Sequence, residues 1–174
     1  MRMIALLIVM LPSLILAQTE EERDVWAPLH PLIGEWQGTG AEGKSKVEAR
    51  YQFVLADKYV EVWHRSVFEP TERNPEGEVH EDKGFISFDA NREKFVFRQF
   101  HVEGFVNTYA LDSLSADGKT IVFNSEAIEN APAGTRAKIE ITVSNEDELT
   151  AVFHVAWPKS DFQCYSRNHL KRKL

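Results

Sequence analysis

From residue 34 onward the chain is written in short runs of alternating apolar and polar positions, each closed by a polar turn signal. Alternation with a period of two sends successive side chains to opposite faces of a strand. Ten such runs are legible, at 34–40, 46–55, 58–68, 79–88, 94–103, 105–112, 119–126, 135–144, 148–157 and 161–170. β-Branched and aromatic residues concentrate in them, as in Phe95-Val96-Phe97 and Ile121-Val122-Phe123, which suits a pleated, half-buried surface. The connections Ala56-Asp57, Asp89-Ala90-Asn91-Arg92, Glu103-Gly104, Ala116-Asp117-Gly118 and Asn145-Glu146-Asp147 are short and polar, so neighbouring strands should pair antiparallel through hairpins. No long helical period competes. The pattern predicts an all-β fold, a single antiparallel up-and-down barrel of about ten strands, because closure removes the edges that an open meander exposes. A barrel of this size can enclose one small ligand.

The N-terminus has another character. Met1-Arg2-Met3 precedes an apolar run from Ile4 to Leu16 that contains Pro12 and ends at Ala17, before the acidic Glu20-Glu21-Glu22. This is the pattern of a secretory signal peptide cleaved after Ala17, too short for a membrane span. The expected organisation is a signal peptide at 1–17, a lead-in at 18–33 and one barrel domain at 34–174. It implies a periplasmic or extracellular protein that is not integral to the membrane. Loss of Arg2 with the signal would take the net charge from −7 to −8. Nucleic acid is a poor partner for such a chain. Cys164 is the only cysteine, so the core must stabilise the fold without an internal disulfide, and multi-cysteine metal sites are excluded.

Gly34-Glu35-Trp36-Gln37-Gly38-Thr39-Gly40 places Trp36 and three glycines on one side of the first strand, where a large ring can plug a barrel end. With the preceding Leu32-Ile33, the ten-strand meander and the terminal His169-Leu170-Lys171-Arg172-Lys173-Leu174, this motif resembles the nitrobindin-like β-barrels. That haem-binding family is related in shape to lipocalins and fatty-acid-binding proteins. The chain also resembles exported bacterial lipocalin-like proteins of unknown function. The nitrobindin resemblance implies a haem b cofactor whose iron is held by a histidine near the chain end, here His169, and a capacity to bind nitric oxide or isomerise peroxynitrite. One departure is plain: the family's first strand runs on into a Tyr-Pro-Thr-Ile segment against the haem, and this chain has Ala41-Glu42-Gly43-Lys44-Ser45-Lys46 instead.

Two constellations carry candidate chemistry. On the last strand Tyr165, Arg167 and His169 share one face by alternation. Turned inward, His169 would take haem iron and Arg167 a propionate. Alternatively, Tyr165 and Arg167 would clamp the carboxylate of a fatty-acid-type ligand, or Arg167 would stack on Trp36. The second constellation follows from hairpin arithmetic. A turn at Asp89–Arg92 sets His80 opposite His101, with Asp82 and Gln99 on the same face, a pair that could share a metal or a proton. His64 and His154 sit in mid-strand without a partner that spacing identifies, and no standard enzyme fingerprint is present. The expected function is therefore a binding protein for a hydrophobic ligand with an anionic end, haem being the named candidate. A metal-free carboxylate binder and a metal-dependent enzyme using His80 and His101 are the alternatives.

Overall fold

The structure, a computed structural model, describes residues 24–173. The expected signal peptide and the first part of the lead-in lie outside the described residues. A short 3-10 segment, Ala27–Leu32, leads into β1 (Gly34–Gly40), β2 (Ser45–Val54), β3 (Tyr59–Phe68), β4 (Glu78–Asp89) and β5 (Lys94–His101). There follow β6 (Val106–Leu114), β7 (Thr120–Glu129), β8 (Arg136–Asn145), β9 (Glu148–Ala156) and β10 (Gln163–Arg172). All ten strands pair antiparallel with their chain neighbours, and β1 pairs with both β2 and β10 to close the barrel. Among the described residues no helix is long and apolar enough to cross a membrane.

One end of the barrel is shut. Leu29 and Leu32 of the 3-10 segment are fully buried there, and Trp26 packs on Phe53 and Phe95 at centroid distances of 5.7 and 5.3 Å. Trp36 is 1% exposed, and its Nε1 donates to the Leu32 carbonyl at 2.7 Å. The expected plug is thus present, and its cation is Arg172. The Arg172 guanidinium lies 4.2 Å from the centre of the Trp36 ring and donates to the carbonyls of Ile33 and Pro31 at 2.7 and 3.1 Å. Arg167 was the expected stacking partner; it instead projects from the exposed side of β10.

The glycines of β1 do more than curve the strand. An added Cβ at Gly38 would lie 2.0 Å from the His169 carbonyl oxygen, so the β1–β10 seam closes only without a side chain there. At Gly40 it would lie 2.2 Å from Asn168 Oδ1. Gly40 thereby leaves room for Asn168 to reach across β1 into the lumen, toward β3.

Candidate functional site

The other end of the barrel opens into a cavity of about 620 Å³, within the usual range for a small-molecule site. Its mouth is framed by Phe105 beyond β5, Ala131 and Pro132 between β7 and β8, and Trp157 beyond β9. One wall is apolar, with Ile86, Phe97, Phe123, Ile139, Ile141 and Phe153. A polar cluster on β3, β4, β5 and the turn after it carries His64, His80, Asp82, His101 and Glu103. Among the described residues no lysine or arginine lines the cavity.

Strand register explains the cluster. His64 of β3 pairs with Asp82 of β4, and Asp82 pairs with His101 of β5. Each sits at an inward position of its strand, so the three line up across the lumen. Asp82 Oδ2 is 3.3 Å from His64 Nδ1, and Oδ1 is 2.5 Å from His101 Nδ1. Burial would by itself raise the Asp82 carboxyl, but hydrogen bonds and charge from His101 and His64 outweigh it and hold the group at about 2. Asp82 is therefore ionised at neutral pH. Asn107 Nδ2 donates to His101 Nε2 at 3.0 Å and to Tyr109 Oη at 2.7 Å. The Asn107 contact leaves the His101 proton on Nδ1, aimed at Asp82. His101 stacks on Phe105 with centroids 4.3 Å apart. His64 Nε2 lies 3.2 Å from Asn168 Nδ2 and 3.5 Å from Ser66 Oγ. His80 bridges two carboxylates, contacting Glu103 through Nδ1 and Glu78 through Nε2 at 2.6 Å.

The expected pairing of His80 with His101 is corrected by two residues. The β4–β5 turn leaves Ala90–Glu93 unpaired, with Asp89 opposite Lys94, so Asp82 rather than His80 faces His101. A shift of two preserves the face. His80, Asp82, Gln99 and His101 therefore all line the cavity as the hairpin argument required.

The residues of β10 behave differently. A register shift between Cys164 and Ser166 resets the alternation, and the inward positions become Ser166, Asn168 and Leu170. Tyr165 falls in the shift, 68% exposed, at the rim of the cavity. Arg167 and His169 are exposed and do not line the cavity. His169 Nδ1 meets Thr150 Oγ1 at 3.2 Å. Tyr165 and Arg167 do not converge inside as a carboxylate clamp, and Trp36 belongs to the closed end, away from the cavity lining. Sequence reasoning missed His64 and Asn168. The nine residues between β3 and β4, 69–77, carry no two-residue turn from which their register could have been read.

A closed ten-strand meander, plugged at one end and hollow at the other, with apolar side chains and a polar cluster lining the hollow, defines a ligand-binding β-barrel. The chain belongs to the family described as THAP4-like, heme-binding beta-barrel domain, which it matches over residues 25–172. Among curated proteins none matches. Among solved structures it is similar to Rv2717c from M. tuberculosis, with a TM-score of 0.62 and 16% identity, covering 87% of this chain and 99% of that one. That likeness is one of fold.

Proposed function

We propose that this barrel binds one small, largely apolar ligand at its open end, and that the ligand is haem b held through His64 rather than His169. The observation that carries the reading is an imidazole inside the cavity whose Nδ1 faces a carboxylate. A metal-ligating histidine characteristically turns its other nitrogen to a carboxylate, which fixes ring and tautomer. His64 Nδ1 lies 3.3 Å from Asp82 Oδ2 without a hydrogen bond closed between them, one that a small turn of the ring would complete, and its Nε2 has contacts of 3.2 Å to Asn168 and 3.5 Å to Ser66. The other interior imidazoles are more tightly engaged, His101 by Asp82 and Asn107, and His80 by two glutamates.

The donor set and the apolar wall of Phe97, Phe123, Ile139 and Phe153 thus fit the group, with His64 as the nitrogen ligand. Because no lysine or arginine among the described residues lines the cavity, the propionates would be solvated at the mouth instead of paired. Haem, when bound, supplies an iron centre whose free side can take a small ligand such as nitric oxide, or peroxynitrite for isomerisation. The chain's own residues orient the imidazole through Asp82 and exclude water along the apolar wall. An exported location rests on the signal-like pattern of residues 1–17.

The test is an absorption titration of the chain with hemin. A saturable, shifted Soret band is expected at one equivalent. Ala151 lines the cavity on β9 beside its pairing partner Asn168, so Ala151→Trp fills the space without replacing a histidine and should abolish the band while the barrel still folds. A wild-type chain with no saturable band, or a variant that binds as well as wild type, would sink the reading.

A further inference from the structure

The region around His101 has more oxygen than it can satisfy. Asp82, Glu103 and Glu78 bring three carboxylates to one side of a cavity that no lysine or arginine among the described residues lines. Two amide oxygens, Asn107 Oδ1 and Gln99 Oε1, are buried there without a hydrogen-bond partner. Asn107 is 1% exposed and touches His101 directly through its amide nitrogen. A buried amide oxygen left unpaired costs about 1–3 kcal/mol. Such acceptors call for a partner from outside the polypeptide, a water or an ion. Two buried amide oxygens without partners beside three carboxylates, with no lysine or arginine among the described lining residues, outline a place for a bound cation.

We infer that Asp82, His101 and Glu103 bind a first-row divalent metal ion of the zinc, manganese or iron class. Their ligand atoms all lie within 4.8 Å of one another. A tetrahedral ion about 2.0–2.2 Å from each ligand sets the ligand atoms about 3.3–3.6 Å apart, so the set is completed when the widest separation closes by about an ångström and the 2.5 Å His101–Asp82 contact opens by a similar amount. The two carboxylates come from different elements, Asp82 from mid-β4 and Glu103 from the turn after β5, so they approach the His101 ring from separate backbones. One imidazole with two carboxylates suits these ions. Three protein ligands leave coordination positions open toward the cavity, as in metal sites that handle a substrate or water.

The surrounding contacts form an outer layer for such a site. His80 contacts Glu103 and thereby orients that carboxylate, while Asp82 Oδ2 remains on His64. The ion displaces the proton shared between Asp82 and His101. With the metal on Nδ1, that proton sits on Nε2, and a turn of the Asn107 amide offers it Oδ1, the atom now without a partner. A metal-bound imidazole whose second nitrogen donates to a carbonyl oxygen is the ordinary outer-layer arrangement.

The site requires no haem, and its test uses none. The full chain, stripped with a chelator and dialysed, is titrated with Zn²⁺ by calorimetry and with Co²⁺ by visible absorption. One equivalent of each metal should bind, with d–d bands for cobalt that report nitrogen and oxygen donors. Glu103→Gln sits on an exposed turn and keeps the fold; it should weaken Zn²⁺ binding by at least about tenfold, and His80→Ala by about 10–100-fold, the effect of losing an outer-layer partner. Asp82→Asn should abolish binding, and where that variant does not fold, Glu103→Gln decides alone. His169→Ala, on the outer surface, should bind as wild type. A wild-type chain with no saturable site, or a Glu103→Gln chain that binds as tightly as wild type, overturns the inference. Failure of the hemin titration would leave these results untouched.

Discussion

Trp36→Ala should lower the unfolding free energy by about 3–5 kcal/mol, the usual cost of emptying a buried aromatic site. Trp36 is the largest fully buried side chain, and more than apolar area depends on it. Its Nε1 ties the strand to the Leu32 carbonyl, and its face receives the Arg172 guanidinium that holds the carbonyls of Pro31 and Ile33. Removing the ring therefore loosens the plug, the first strand and the last strand together. Denaturant unfolding monitored by circular dichroism reads the change as a lower midpoint. A loss below about 1 kcal/mol would mean that the closed end is held by the 3-10 segment alone.

Gly38→Val should act at the seam itself. The added Cβ would lie 2.0 Å from a backbone carbonyl oxygen on β10, which no rotamer change can relieve. Overpacking commonly costs about 1–3 kcal/mol, and because the obstacle is backbone the effect should reach about 3 kcal/mol or more. The expected signature is loss of amide protection at the β1–β10 ladder, Trp36↔Arg172 through Gly40↔Asn168, before the remaining strands exchange. Uniform protection equal to wild type would show that the seam accommodates a side chain.

These two positions also mark what was legible beforehand. Trp36 stood out because a large ring among glycines at alternate positions of one strand suits a plug, whereas the close approach of β10 that requires Gly38 shows only in the strand pairing. The ten strands were legible because apolar and polar positions alternate along them and most of their turns are short. Asp82, Gln99, His80 and His101 were placed on a common face because an even register error leaves strand faces unchanged. The β10 residues were misplaced because a single irregularity between Cys164 and Ser166 inverts every side chain after it, and no glycine or proline in that stretch announces it. Arg167 and Arg172 both offered a guanidinium, and only the pairing Trp36↔Arg172 distinguishes them. His64 stayed without a partner because its neighbour Asp82 lies across a long connection. Its other contact, Asn168, lies 104 residues away in sequence, a distance over which local pattern carries no register.

The central claim is that the ligand chemistry of this barrel lies inside, on the His64–Asp82–His101 row, and that the terminal histidine is a surface residue. A side-by-side hemin titration of His64→Ala and His169→Ala tests it most directly. The account predicts that the shifted Soret band disappears in His64→Ala and persists at wild-type affinity in His169→Ala. A band lost with His169 and kept without His64 would contradict it, and would mean that β10 binds its ligand with the opposite face turned inward.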